Sequence, residues 1–165
     1  MKTLIVYYSF GGNTRKIARM LQDRIGGDLA EIETAVPYTG DYNAVVAQGE
    51  KEIQEGYMPE LKPLDLDVSG YDRIILGTPV WWYTFAPAVK TFLHETSLAG
   101  KVVWPFATNG GWIGHTFRDV EAACPGAEVK PGLNLRFDDR TMTTRSGRST
   151  PGLRKSGNKR KPCPL

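Results

Sequence analysis

The stretch that most constrains the fold is a buried strand that runs through a small-residue loop into a helix. Residues 4–7 are apolar or aromatic, which predicts a buried strand. Residues 9–14 then supply hydroxyls, glycines and an amide, and apolar residues recur every fourth position afterwards, as on one helical face. This order of elements begins a β-α-β unit, so we expect an α/β protein with a parallel sheet. The strand residues are Leu4–Tyr7, and the helical stripe is Ile17, Leu21 and Ile25.

The loop between this strand and helix has the composition of an anion-binding site. Its backbone N–H groups and hydroxyls can point at an anion, and the helix N-terminus adds a partial positive charge. We interpret it as a phosphate-binding loop; the alternative is an ordinary turn with Asn13 or Thr14 as N-cap. The loop matches neither G-x-x-x-x-G-K-[ST] nor G-x-G-x-x-G, which argues against an NTPase and against a dinucleotide fingerprint.

Strand-like and helical patterns alternate along the chain as far as residue 137. The polar–apolar alternation of residues 28–33 predicts a second strand near a sheet edge. The alternation of elements predicts helices on both faces of the sheet and right-handed crossovers. The predicted strands are Asp28–Glu33, Arg73–Gly77, Lys101–Thr108 and Glu128–Phe137. One predicted helix starts at Tyr42, the next contains Phe85, Val89, Phe92 and Leu93, and a short third one covers Thr116–Ala123.

An aromatic-rich loop follows the third predicted strand. Residues 77–87 contain four aromatic side chains within five positions, just past a buried strand. A flat redox ring would explain them, because aromatic faces stack on such a ring and exclude water. Pro79 and Pro87 stiffen the loop. The alternative is that these aromatic residues cover a sheet edge or a protein interface.

A glycine-rich loop follows the fourth predicted strand. Residues 108–115 contain three glycines, which allow the backbone to approach a ligand closely; the alternative is a flexible loop without a ligand. His115 could pass protons there, or it is a solvated loop histidine. All three loops follow parallel strands at the same sheet edge, so together they predict one ligand site.

The spacing Tyr7-x-Ser9-x-x-Gly12-x-Thr14 resembles the phosphate-loop signature of the flavodoxin family. The resemblance implies a flavodoxin-like, doubly wound sheet of five parallel strands in the order 2-1-3-4-5, with FMN above the carboxyl ends of strands 1 and 3. It extends over about residues 3–136 and does not include the last helix that normally closes such domains.

The resemblance also implies three groups of FMN-binding residues. The first loop would hold the phosphate, the second would line the isoalloxazine ring, and the third would bind its pyrimidine end. No metal site or catalytic residue is predicted. The expected FMN-binding residues are Ser9, Phe10, Gly11, Gly12, Asn13 and Thr14, then Thr78, Pro79, Val80, Trp81, Trp82 and Tyr83, and finally Thr108, Asn109, Gly110, Gly111 and Trp112.

Charge divides the chain into two parts. The chain has 21 Lys or Arg and 18 Asp or Glu, a net charge of +3. Eight of the basic residues and none of the acidic ones lie in 140–165, so residues 1–139 hold 13 basic and 18 acidic residues, a net charge of −5. We predict an FMN-binding domain over 1–139 and a disordered basic tail over 140–165. Both a functional polyanion-binding tail and an altered reading frame fit this composition. In both cases the last helix of the domain would be missing or altered, and one face of the sheet would be uncovered.

Redox chemistry is the predicted function, because FMN accepts one or two electrons. We predict an FMN-dependent oxidoreductase acting on a small acceptor such as a quinone, with NAD(P)H or a reductase as electron donor. The alternative is a flavodoxin-type electron carrier between a reductase and an acceptor protein. An interaction module without cofactor is the third possibility. Nucleic acid is expected to bind only to the basic tail, through non-specific electrostatic contacts.

Three observations predict a cytoplasmic location. No apolar run approaches the roughly 20 residues of a membrane span. The N-terminus enters a strand without the pattern of a signal peptide. Cys124 and Cys163 are too few for a disulfide framework or a structural zinc site.

Overall fold

The structure, a computed structural model, describes residues 2–138 and 141–143. The strands are β1 Thr3–Tyr8, β2 Asp28–Ile32, β3 Arg73–Trp81, β4 Thr84–Phe85, β5 Val102–Asn109, β6 Glu128–Val129, β7 Leu133–Asp138 and β8 Thr141–Met142. The helices are α1 Asn13–Ile25, α2 Tyr42–Glu55, α3 Pro87–Glu95 and α4 Thr116–Ala123, with a single 3-10 turn at Val68–Gly70.

The sheet has the order β2-β1-β3-β5-β7-β8, with β4 paired to β3 and β6 paired to β5. The strands β2, β1, β3, β5 and β7 run parallel, and β1 lies between β2 and β3. This confirms the predicted flavodoxin-like order, with β6 and β7 as two parts of the predicted fifth strand. The expected edge position of β2 is also confirmed. Loops at the carboxyl ends of β1 and β3 therefore meet at the switch point of the sheet.

Strand residues alternate between two apolar layers, because successive side chains of a strand point to opposite faces. Leu4 and Val6 join the larger core cluster, which includes buried residues of α2, α3 and α4. Ile5 and Tyr7 join a smaller cluster on the other face, together with Ile17 of α1 and residues of β5 and β7. In the described part of the chain, α1 is the helix that contributes to this second cluster.

The third strand is longer than predicted and ends in a hairpin. We expected the strand to end at Gly77, but β3 continues to Trp81 and pairs with the antiparallel β4. Phe85, expected in the third helix, therefore lies in β4, and the helix starts at Pro87. Proline suits that first helical position, because its missing N–H would have no partner in the helix.

The predicted fifth strand is broken into β6 and β7. Glu128–Val129 pairs with the start of β5, and pairing resumes from Leu133 opposite Phe106. Pro131 lies in the gap and Pro105 lies in the facing part of β5. Neither proline has an N–H to donate, which accounts for the interruption of the ladder.

The described start of the basic tail is ordered as a strand. Thr141 and Met142 form β8, which pairs antiparallel with Asp138 and Phe137 of β7. Met142 packs against the smaller core cluster. The expectation of disorder is therefore wrong for residues 141–143, while the rest of the predicted tail, 144–165, lies outside the described residues. No helix among those described is long and apolar enough to cross a membrane.

Candidate functional site

The loop after β1 leaves the N-terminus of α1 open. Gly11 and Gly12 have φ values of 81° and 98°, a left-handed conformation that glycine adopts without steric cost. Gly12 is the N-cap residue of α1, so it has no side chain to cap the first-turn N–H groups. The amide of Arg15 donates to Ser9 Oγ at 3.2 Å. Such an open helix start has the donors and the dipole that favour an anion.

The cation next to this loop is held by an acid on the neighbouring strand. Arg15 Nε donates to Glu31 Oε1 at 3.1 Å, and its Nη2 also pairs with that oxygen. The hydrogen bond to Glu31 is the main cause that raises the pKa of the Arg15 guanidinium. With this charge neutralised by Glu31, an anion at the loop would rely mainly on backbone N–H groups.

The turn between β3 and β4 has an unusual backbone conformation. Trp82 and Tyr83 both have positive φ values, 48° and 70°. Two successive left-handed residues are the geometry of a tight two-residue hairpin, but side chains other than glycine carry a cost of about 1–3 kcal/mol each there. Trp82 Nε1 donates to the carbonyl of Val46 in α2 at 3.0 Å, which holds the turn against that helix. Strained non-glycine residues of this kind are enriched at functional sites.

The loop after β5 is bound to this hairpin. The amide of His115 donates to the carbonyl of Tyr83 at 2.8 Å. Gly114 has a φ of 58°, and a Cβ atom there would lie 2.3 Å from the same carbonyl oxygen, so only glycine allows this approach. Asn109 Oδ1 accepts from the amide of Gly111 at 2.9 Å and shapes the start of the loop.

Contacts between side chains bring all three loops together. Thr14 Oγ1 lies 2.8 Å from Thr108 Oγ1, which joins the first loop to the end of β5. The rings of Phe10 and Trp81 meet edge-to-face, with centroids 5.9 Å apart. Tyr83 and Trp112 form a second such pair, with centroids 5.6 Å apart. The convergence expected from the parallel strand order is therefore present.

The predicted site residues form two layers. Trp81 has none of its surface exposed and packs in the core, whereas Tyr83 and Trp112 are 40% and 58% exposed. The prediction that all four aromatic residues lie in one loop is wrong for two of them, because Trp81 is buried at the end of β3 and Phe85 is buried in β4. The outer, at least partly exposed layer contains Ser9, Phe10, Gly11, Gly12, Asn13, Trp82, Tyr83, Gly110, Gly111 and Trp112. The buried layer contains Thr14, Thr78, Pro79, Val80, Trp81, Thr108 and Asn109.

Sequence reasoning missed Tyr38, which follows β2. Its ring meets that of Trp81 with centroids 5.0 Å apart and that of Phe10 at 6.5 Å. Its hydroxyl donates to Glu52 Oε2 at 2.6 Å. Burial, and then the hydrogen bond to Glu52, raise the pKa of Tyr38 well above its ordinary value, so the phenol stays neutral. The rule that found the other loops, a loop after the carboxyl end of a parallel strand, also applies to this one.

A hydrogen-bonded histidine lies next to the exposed aromatic pair. His115 Nδ1 contacts Asp119 Oδ2, and that oxygen also accepts from Thr84 Oγ1 at 2.6 Å. Thr84 belongs to β4, so this network joins the N-terminus of α4 to the hairpin. The carboxylate orients the imidazole.

Fold and site together define a doubly wound α/β protein with an open helix N-terminus and an exposed aromatic pair at its switch point. More specifically, the chain belongs to the flavodoxin family, because the sequence model of that family matches residues 2–145. This match confirms the resemblance that residues 7–14 carry.

Solved structures and a curated relative agree with this assignment. A candidate flavoprotein from Bacteroides eggerthii is 33% identical with a TM-score of 0.75, covering 84% of this chain and 91% of its own. A flavoprotein from Lactobacillus acidophilus, solved in complex with FMN, is 29% identical with a TM-score of 0.71, covering 81% and 91%. Flavodoxin 1 of Salmonella typhimurium is 31% identical over 105 residues, which are 61% of this chain and 46% of that protein. This chain thus spans less than half the length of that curated relative.

Proposed function

We propose that this protein binds FMN and transfers its electrons to a small acceptor such as a quinone. The observation that carries the proposal is the placement of an open helix N-terminus and an exposed aromatic pair at one switch point. The open helix N-terminus can bind a phosphate, and the exposed aromatic pair can stack on a flat conjugated ring. Family membership and the FMN complex of the Lactobacillus acidophilus relative support the choice of FMN.

The residues around the first loop fit a phosphate. Ideal Cβ atoms at Gly11 and Gly12 would meet no heavy atom of the described chain within 4 Å, so the space beside the loop is open to a ligand. Ser9 lies at the loop entrance and its hydroxyl is already oriented by Arg15. Thr14 is buried and its hydroxyl faces Thr108, so it would support the loop rather than cap its outer surface.

The residues around the hairpin fit a planar ring. Tyr83 and Trp112 present exposed rings inclined at 66° to each other, so one of them can stack on an isoalloxazine while the other borders it. In the core, Trp81 Nε1 is a buried donor without a partner among the described residues.

Bound FMN would supply the one- or two-electron chemistry. The chain would orient the ring with Tyr83 and Trp112 and exclude water from its faces. His115, oriented by Asp119, would offer a proton at its imidazole beside the exposed pair. A quinone needs both a flat apolar surface and protons, which is why this class of acceptor is proposed.

A flavodoxin-type electron carrier is the second candidate function. It is favoured by the match to Flavodoxin 1 of Salmonella typhimurium. Against it, residues 1–139 carry a net charge of only −5, a weak basis for electrostatic docking of a protein partner. The electron donor and the cytoplasmic location stay predictions.

An anaerobic reduction experiment separates the two functions. The FMN-loaded protein is photoreduced and mixed, in separate runs, with a benzoquinone and with a one-electron acceptor protein such as cytochrome c. Rapid two-electron oxidation by the quinone, slowed in Trp112→Ala, supports the oxidoreductase. Faster oxidation by the protein acceptor, with a stable one-electron stage, would support the carrier and contradict the first proposal.

A further inference from the structure

A charged side chain from a different strand, Arg136, lies against the glycine-rich loop that follows β5. Arg136 belongs to β7 and is paired in the sheet with Asn109, the last residue of β5. An ideal Cβ atom at Gly111 would lie 3.4 Å from each of three guanidinium atoms of Arg136, namely Cζ, Nε and Nη2. A point equally far from three bonded atoms of a planar group at this distance lies above the plane. The flat face of the guanidinium therefore lies over Gly111.

The backbone at Gly111 allows this close arrangement. Gly111 has a φ of 144°, a conformation that favours glycine, so no side chain separates the loop backbone from the guanidinium. The N–H donors of a guanidinium lie in its plane, so they point past the loop rather than into it. Arginine also keeps its positive charge throughout the working pH range. The loop thus has a permanent cation at its surface, with several donors that more than one partner can share.

Two side chains at the start of this loop have their polar atoms engaged within the protein. Asn109 Nδ2 donates to Asn134 Oδ1 at 2.5 Å and to a backbone carbonyl of β7 at 3.5 Å. Asn109 Oδ1 accepts from the amide of Gly111 at 2.9 Å. The hydroxyl of Thr108 lies 2.8 Å from a hydroxyl of the phosphate loop. Asn109 and Thr108 therefore hold the loop in shape, and Arg136 adds a polar group to it from the neighbouring strand.

A cation at this loop would act on the charge of a reduced flavin, an inference that rests on the proposed function. The loop is the one expected to bind the pyrimidine end of the ring. Hydride transfer from a donor such as NAD(P)H adds two electrons and one proton to FMN, so the ring gains one negative charge. An opposite charge nearby favours the charged form of a group, and charge near the ring nitrogens tunes a flavin.

We propose that Arg136 stabilises reduced FMN relative to oxidised FMN, through its positive charge at the pyrimidine end of the ring. It thereby raises the two-electron midpoint potential of the bound cofactor. Asn109 is a positioning residue in this arrangement, because its side chain connects the loop to the strand that carries Arg136.

Three variants of the full chain separate charge from structure. Arg136→Gln removes the charge and keeps hydrogen-bond donors, whereas Arg136→Lys keeps the charge. Arg24→Gln is the matched control, because it removes the same charge from an exposed position in the last turn of α1. Circular dichroism checks folding, and Arg136→Met replaces the glutamine variant if that one is unfolded.

Two measurements give the affinity of each chain for both redox forms. Titration with oxidised FMN gives the first dissociation constant. Anaerobic reduction in equilibrium with a dye of known potential gives the midpoint potentials of free and bound FMN, and their difference gives the dissociation constant of reduced FMN.

The expected result is a selective loss for the reduced form. Arg136→Gln should weaken reduced FMN about tenfold more than oxidised FMN, which lowers the two-electron potential by about 30 mV. Arg136→Lys should keep most of the natural potential, and Arg24→Gln should keep all of it. The shift should shrink at high salt, because Arg136 is exposed.

The contrary outcomes differ for the two levels of the proposal. If the natural chain binds no FMN, both the proposed function and the role of Arg136 are wrong. If FMN binds and Arg136→Gln leaves the potential unchanged, only the role of Arg136 is wrong. Equal weakening of both redox forms without rescue by Arg136→Lys would show that Arg136 only supports the loop. An equal shift in Arg24→Gln would attribute the effect to net charge rather than to position, and would also overturn the inference.

Discussion

Replacing Gly12 by alanine tests the phosphate loop with a control in the same helix. Gly12 precedes α1 with a φ of 98°, and Gly26 follows α1 with a φ of 73°. Neither position would bring a new Cβ within 4 Å of a described heavy atom. Both substitutions strain the backbone, and Gly26→Ala at least as much, because the ψ of −159° at Gly26 lies in a region essentially confined to glycine. Only the substitution at Gly12 places a methyl group beside the proposed phosphate.

The expected magnitudes differ for stability and for binding. Left-handed backbone costs a residue with a Cβ about 1–2 kcal/mol, so Gly12→Ala should lose about that much unfolding free energy and Gly26→Ala at least as much. At Gly12 the methyl group should also displace the anion from at least one N–H donor. A hydrogen bond to a charged group contributes about 1.5–3 kcal/mol, so FMN affinity should fall at least about tenfold. Gly26→Ala should bind FMN as the natural chain does.

Calorimetric titration of apo protein with FMN measures the affinities, and urea unfolding measures the stabilities. The loop would be excluded as the phosphate site if Gly12→Ala kept full FMN affinity while losing the expected stability. Equal loss of affinity in both variants would instead mean that general destabilisation explains the effect.

Further predictions concern the aromatic layers, the buried thiol and the end of the chain. Trp112→Ala should raise the fluorescence of bound flavin, measured at steady state, with little loss of stability. Trp81→Phe should lower the free energy of unfolding by about 1–3 kcal/mol, because the indole of Trp81 lies in the core. Urea titration measures this loss of stability. Burial raises the pKa of the Cys124 thiol from 9.0 to about 11. The thiol of the unfolded chain therefore loses its proton at lower pH than the thiol of the folded chain, so the free energy of unfolding should fall as pH rises from about 9 to about 11. Urea unfolding repeated across that pH range measures this fall, which should be shallower in Cys124→Ala. A chain ending at Asp138 lacks β8 and should melt at a lower temperature than one ending at Thr143. Both chains should bind FMN equally in titrations below the melting range. Equal melting temperatures would mean that β8 does not contribute to stability.

The elements that position the site could be predicted because their signals are local. The apolar run of β1, the small residues of the loop and the fourfold spacing in α1 lie within 22 residues of sequence. The parallel order of the sheet then brought the later loops to the same edge, as the positions of Tyr83 and Trp112 demonstrate. Membership of the flavodoxin family agrees with that reading.

The details that escaped prediction depend on distant contacts or on backbone conformations that residue types do not signal. Trp82 and Tyr83 adopt left-handed conformations without glycine, so a tight hairpin there had no sequence signature. That hairpin turns Trp81 into the core, where it meets Tyr38 from a loop more than 40 residues earlier in the chain. The exact break between β6 and β7 likewise depends on Pro105, in the neighbouring strand, as well as on Pro131.

A comparison of FMN with riboflavin tests whether the loop after β1 holds the phosphate of a bound flavin. The two ligands share the ring and ribityl chain and differ in the phosphate that Gly11 and Gly12 are proposed to hold. Titration of the purified full chain should show one FMN per chain with quenched fluorescence, and riboflavin binding at least about a hundredfold weaker, as two charge-assisted hydrogen bonds would produce. Equal affinity for the two ligands, or no binding of FMN at all, would show that this loop does not hold the phosphate of FMN.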